Sequence, residues 1–109
     1  MAESLQLLKG TLDVLVLKAL SWGPMHGFGV AGWIEQGTAG DLAVEDGALY
    51  QALHRMEERG LIEGEWGTTD NNRRAKFYRM TRRGRAHLAA EMATWERYAR
   101  AVTRLLQTA

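Results

Sequence analysis

In EDGALYQALHRMEERG, residues 45–60, Gly47, Gln51, His54 and Glu58 fall on one line of a helix when Leu49, Ala52, Leu53 and Met56 turn inward. Tyr50 and Arg55 flank that line. Its first three turns therefore offer a small residue, an amide, an imidazole and a guanidinium. An amide can bond an adenine edge at two points, and a guanidinium suits guanine or phosphate. Gly47 leaves room for a sugar-phosphate chain to approach. Taken alone, this pattern also describes any polar surface helix.

A second stretch adds to it. From Arg73 to Arg85 the chain carries seven Arg or Lys residues and no acid, half of its 14 basic groups. Glu35 to Asp70 holds nine acids against only Arg55 and Arg59. A net charge of +1 thus conceals a local positive stripe, and a local stripe is what attracts phosphate. The stripe starts within EWGTTDNNRRAKFYRMT, residues 65–81, where two runs with aromatic residues surround a tip rich in turn formers. A helix that presents an amide, followed at once by a hairpin bearing Arg73, Arg74 and Lys76, gives two adjacent contact elements. One suits a major groove and the other its flanking phosphates. Glu45 and Asp46 would repel phosphate unless they cap the helix start, where the helix dipole favours them; the cap is the expected role.

Other chemistry fits poorly. GFGVAG, residues 27–32, matches the glycine string of dinucleotide-binding loops, but it follows a Gly-Pro break rather than a buried strand and opens only about two turns. Its glycines are expected to permit tight packing. His26, His54 and His87 lack partners at metal-ligand spacing, so no metal is expected. There is no cysteine, hence no disulfide and no thiol nucleophile. The paired acids Glu45-Asp46 and Glu57-Glu58 read as helix-end and solvated charges rather than shielded acid–base groups. No cofactor is implied and an enzyme is not expected.

The elements that must position these groups follow from periodicity. Leu5, Leu8, Leu12, Leu15 and Ala19 predict a first helix that is apolar nearly all round, expected to pack on its own domain and on a second chain. Trp22-Gly23-Pro24 ends it. A short helix is expected over 28–36, a brief extended segment over 42–44, and the helix over 45–60, which Gly60 closes. Strands over 61–66 and 75–80 follow. Thr81 then caps a last helix in which Leu88, Met92, Trp95, Ala99, Val102 and Leu106 repeat in 4-3-4-3-4 steps, the spacing of a dimer seam. The expected fold is mainly α with a small β hairpin: a winged helix-turn-helix over residues 1–81 and a C-terminal dimerisation helix over 82–109.

A chain of 109 residues can bury one small core, and 46% apolar with 25% charged residues is the balance of a folded domain. With neither a secretion-type lead nor about 18 consecutive apolar residues, a cytoplasmic protein without membrane contact is expected.

The segments GTLDVLVLKALSWGPMHGFGVAGWIE, ALYQALHRMEERGLI, EWG and NNRRAKFYRMT resemble the PadR family of transcriptional regulators across residues 8–104. The most specific parts are Leu49-Tyr50, the run from Arg55 to Gly60-Leu61-Ile62, and Lys76 to Tyr78. The short end resembles the branch with a single C-terminal helix. The resemblance implies a homodimeric repressor on a palindromic duplex operator, its last helix pairing with the partner's first and last helices. Leu5, Leu8 and Leu12 would join the heptad residues in that interface. It also implies that Tyr50 bonds phosphate, Gln51 faces bases and the wing cations hold the backbone. The sequence departs from the family's Ser-Pro-Gly-Thr-like start with Glu45-Asp46-Gly47-Ala48, which removes a hydroxyl at Ala48. Trp95 reads as a bulky seam residue; the resemblance makes it also a plate for a flat aromatic or hydrophobic effector, walled by Met92, Leu8 and Leu12. A ligand that spread the seam would change the separation of the reading helices. The competing expectation is a winged-helix module that joins proteins and does not bind DNA.

Overall fold

The computed structural model of the chain describes Leu5, Leu7 and residues 10–109. Its elements are α1 (Thr11–Leu20), β1 (Met25–His26), α2 (Gly27–Gly37), α3 (Asp46–Glu58), β2 (Ile62–Thr68), β3 (Arg74–Met80) and α4 (Arg82–Leu106). Three helices surround the apolar core, and a three-stranded antiparallel sheet in the order β1-β3-β2 closes one side. The β2–β3 pair is the wing, in register from Ile62 opposite Met80 to Thr68 opposite Arg74.

In α3 the buried side chains are those that periodicity selects, whereas in α1 the expected face is only partly buried at Leu12 and Leu15 and the core instead takes Val16, Leu17 and Leu20 with Ala19. Val16, Leu17, Ala19 and Leu20 of α1 meet Val30 and Ile34 of α2 and Leu49, Ala52, Leu53 and Met56 of α3. Leu61, Ile62, Tyr78 and Leu88 complete the core. The last of these comes from α4, so the final helix is anchored at its first turns and leaves the rest of its length outside the core.

Two expectations change at the N-terminal side. The first helix begins at Thr11 and does not extend back to Leu5. Gly10 takes φ 86°, a left-handed backbone that interrupts a helix and suits glycine. Leu5 instead donates its N–H to the Asp41 carbonyl at 2.6 Å and forms a lone parallel bridge with Leu42. That bridge is all that forms of the extended segment expected over 42–44. Leu8 lies outside the described residues. A short strand does occur, but earlier: β1 pairs Met25 with Tyr78 and His26 with Phe77.

Two joints hold the reading helix and the wing in place. After α3, Gly60 at φ 74° lets its own N–H reach the Glu57 carbonyl and the Leu61 N–H reach that of Met56, which terminates the helix and starts β2. At the root of α4 the Thr81 hydroxyl donates to the Gly60 carbonyl at 2.7 Å and accepts from the Gly84 N–H at 3.0 Å. Gly84 is buried there, and a Cβ on it would collide with the Leu61 carbonyl oxygen and Met80. One hydroxyl and one glycine thus lock the last helix onto the wing root.

Candidate nucleic-acid interface

Gly47, Ala48, Gln51, His54 and Glu58 are all exposed on α3, opposite its buried stripe. A Cβ placed on Gly47 would meet nothing, so the front of the helix is open. Glu45 takes the N-cap position, but its side chain makes no capping hydrogen bond, which corrects the expectation that these acids cap the helix. Asp46 stands in the first turn, where its favourable partner is the helix dipole alone. His54 turns its Nε2 to Glu58 at 3.3 Å, one turn on.

Tyr50 is positioned from behind. A Cβ at Gly27 would lie 3.0 Å from its ring, so the glycine opening α2 makes room for the aromatic side chain. This is the close packing expected of the glycine string, and it is Gly27 that provides it; a Cβ on Gly32 would have nothing nearby. His26 fixes the start of α2, its Nδ1 accepting the Gly29 N–H at 3.0 Å while its ring stands edge-on to Phe77 at 5.3 Å. The imidazole is a helix cap.

The basic run separates into cations with partners and cations without. Lys76 reaches the Glu57 carboxylate at 2.9 Å, tying the wing to the flank of α3 that also carries Tyr50. Its hydrogen bond to Glu57 holds its pKa above the ordinary lysine value, against the opposing effect of desolvation. Gly64 matters here, since a Cβ on it would collide with the Lys76 side chain crossing the sheet. Lys76 also lies 5.5 Å from the Tyr78 ring, whose hydroxyl pKa is pushed up mainly by burial. Arg79 pairs with Glu63 at 2.8 Å, and Arg55 pairs with Asp13 of α1 at 2.9 Å. Arg73 and Arg74 make no ion pair among the described residues; Arg74 instead lies over the Trp66 ring, 4.6 Å from its centroid. Arg82, Arg83 and Arg85 sit beyond the other end of β3. At about 3.3 Å per residue that end is roughly 20 Å from the tip. The continuous stripe in sequence becomes a free pair at the wing tip and a separate group at its root.

The C-terminal seam also divides. Leu88 is buried in the chain's own core, and Leu12 and Met92 pack partly buried against it. Further along α4, Trp95, Val102 and Leu106 are exposed and Ala99 is half-buried. Tyr98 and Leu105, which the heptad spacing passes over, are exposed beside them. They lie seven residues apart, so a third column at that spacing would have revealed them. Trp95 stacks on Tyr98 with ring centroids 6.2 Å apart. Together they line a shallow hollow with Thr11, Val14, Glu91 and Thr94. Of the expected effector wall, Trp95 is present there while Leu12 and Met92 face the core.

Among the described residues no His, Cys, Asp or Glu cluster could hold a metal, and no helix is long and apolar enough to cross a membrane.

Comparison with known proteins agrees with this arrangement. A model of the transcriptional regulator PadR-like family matches residues 16–90. A PadR family transcriptional regulator from Eggerthella lenta is 30% identical, covers 93% of this chain and 86% of its own, and superposes with a TM-score of 0.78. A PadR-like transcriptional regulator from Bacillus cereus is 26% identical, covering 94% and 97%, with a TM-score of 0.79. A transcriptional regulator from Clostridium thermocellum shares the fold at a TM-score of 0.83 with 23% identity, covering 91% and 96%.

Proposed function

Because the chain belongs to the PadR-like family of transcriptional regulators, we propose that it acts as a homodimeric DNA-binding repressor rather than an enzyme. In this reading residues 1–81 form the DNA-binding unit and 82–109 the dimerisation helix, in the cytoplasm. The observation that carries it is the outward line Gly47, Gln51 and His54 on α3 beside the unpaired Arg73 and Arg74 at the wing tip. Gln51 and His54 read base edges in a major groove, Gly47 and Ala48 allow the backbone near, and Tyr50 bonds a phosphate. Arg73 and Arg74 hold the flanking phosphates. Arg55 and Lys76 contribute after exchanging or sharing their carboxylate partners, Asp13 and Glu57.

The same reading includes a second protomer. The exposed Trp95, Tyr98, Val102, Leu105 and Leu106 form an apolar stripe that water does not favour. Covering it with a second copy pairs two reading helices on a palindromic operator, whose half-sites lie one duplex turn, about 34 Å, apart. A flat aromatic or hydrophobic effector seated against Trp95 widens that spacing and lowers DNA affinity.

Mobility shifts with DNA from upstream of the gene, with light scattering on the same sample, test this reading. A shift by a dimer is expected. A protomer that leaves all such DNA unshifted at low salt contradicts it and favours a module that joins proteins.

A further inference from the structure

Between the start of α2, the front of α3 and the inner face of the wing lies a groove of about 800 Å³. Phe28, Tyr50 and Trp66 line it together with Arg73, Arg74 and Lys76, and no carboxylate is among its lining residues. The three aromatic side chains are 79%, 52% and 58% exposed, an unusual amount of ring surface to leave in water. Strand register explains their convergence. Trp66 sits opposite Lys76, and Thr68 opposite Arg74, so Trp66, Arg74 and Lys76 share one face of the sheet. Lys76 reaches Glu57 of α3 from that face, which is therefore the one turned toward the reading helix. The Arg74 guanidinium lies over one face of the Trp66 ring, 4.6 Å from its centroid, which places a positive charge beside the indole.

An intact duplex presents phosphates and base edges, and its base faces are hidden in the stack. A groove with exposed aromatic rings and unpaired cations matches instead a base whose face is free and whose phosphate lies alongside. We propose that this groove is a binding site for unpaired nucleotides, in which single-stranded DNA stacks bases on Trp66 and Phe28 while Arg73 and Arg74 hold the backbone. The inference builds on the DNA-binding reading but claims a distinct activity, separable from duplex recognition by Gln51. Its consequence is that the protein tolerates, and profits from, opening of the base pairs that flank its site.

The test uses the full chain and a fluorescein-labelled oligothymidylate of about ten nucleotides, beside a duplex from upstream of the gene long enough to hold two half-sites one turn apart, at low salt. Anisotropy is expected to show binding to the oligothymidylate. Phe28→Ala and Trp66→Ala are each expected to weaken it by about 5- to 100-fold, and Trp66→Phe, which keeps a ring, much less. Circular dichroism checks that each variant is folded. Thymidine monophosphate, which lacks neighbouring phosphates, is expected to bind far more weakly; equal affinity would replace the strand by a free nucleotide and overturn the proposal. Variants that bind oligothymidylate as wild type does overturn it as well. If the duplex binds and the single strand does not, this proposal fails and the duplex reading stands. If neither binds, both fail.

Discussion

The front of α3 with the wing tip and the outer half of α4 are both exposed, yet they are built in opposite ways. The first region mixes polar groups with exposed rings and is arranged in advance by contacts within the chain: Gly27 behind Tyr50, Glu57 holding Lys76, Arg74 over Trp66. The second is apolar, and apart from the Trp95–Tyr98 stack its side chains have little to hold them beyond their own helix. A surface positioned by its own fold can meet a rigid ligand at little cost in ordering. An apolar stripe gains its stability only when something covers it. On the proposed reading the first region recognises DNA and the second assembles the dimer.

The largest expected effect comes from breaking the assembling region. Val102→Glu with Leu105→Glu places two carboxylates in the proposed seam and should weaken dimerisation by roughly 100-fold or more. Sedimentation should show a protomer, while circular dichroism stays nearly unchanged because both positions lie outside the core. Loss of the core signal instead would mean that this half of α4 supports the fold itself.

Severing the connection between the regions comes next. Gly84→Leu forces a side chain against the Leu61 carbonyl and Met80. Overpacking of this kind costs about 1–3 kcal/mol, and each kilocalorie lowers the melting temperature of a domain this size by about 4–8 °C. Gly32→Ala, where a Cβ meets nothing, is the matched control and should be close to neutral or slightly stabilising. A similar loss from both would remove the proposed lock at the wing root.

Within the recognising region, Gln51→Ala should cost about 1–3 kcal/mol of discrimination at one base pair and leave the melting temperature unchanged. Competition between the preferred site and its single-base variants measures this. A uniform loss across all sequences would move Gln51 from base reading to backbone contact.

The smallest effect belongs to the clip between the wing and the flank of the helix. Glu57→Gln removes the charged partner of Lys76, and a partly exposed pair of this kind contributes no more than about 1 kcal/mol. Lys76 has a raised pKa in the fold, so the pair's contribution is fully present below the ordinary lysine value of 10.5. It is lost as pH rises through the raised folded value. The melting difference between wild type and variant should therefore be constant around neutrality and fade in strong alkali. A difference already fading near neutral pH would assign the effect to another group.

How far the sequence disclosed this arrangement depended on the length of the signal. The stripe Leu49, Ala52, Leu53 and Met56 spans two turns and placed the outward line of α3 without ambiguity, because a helix with one buried face has only one opposite face. The two residues of β1 are too few to show any period, and its pairing with β3 is a long-range event that no local pattern announces. Leu5 and Leu8 continued the helical spacing of Leu12 and Leu15, but Gly10 between them takes a left-handed turn, so apolar spacing outran the backbone that had to carry it. The basic run misled in another way. Charges counted along the chain cannot show that Glu57 and Glu63 already engage Lys76 and Arg79, nor that β3 carries the root arginines about 20 Å from the tip. The exposed line of α3 and the wing cations were legible as residues, but their pairings were not.

That difference between free and engaged cations can be measured directly. The affinity of wild type and of Arg73→Ala/Arg74→Ala for one upstream duplex should be followed from about 50 to 200 mM salt, the range over which counterion release dominates. Wild type is expected to show a steep linear fall of log affinity with log salt. The double variant is expected to show a slope shallower by nearly two, about 0.9 for each phosphate it no longer neutralises. Parallel lines for the two proteins would contradict the assignment of Arg73 and Arg74 as the free, phosphate-holding pair.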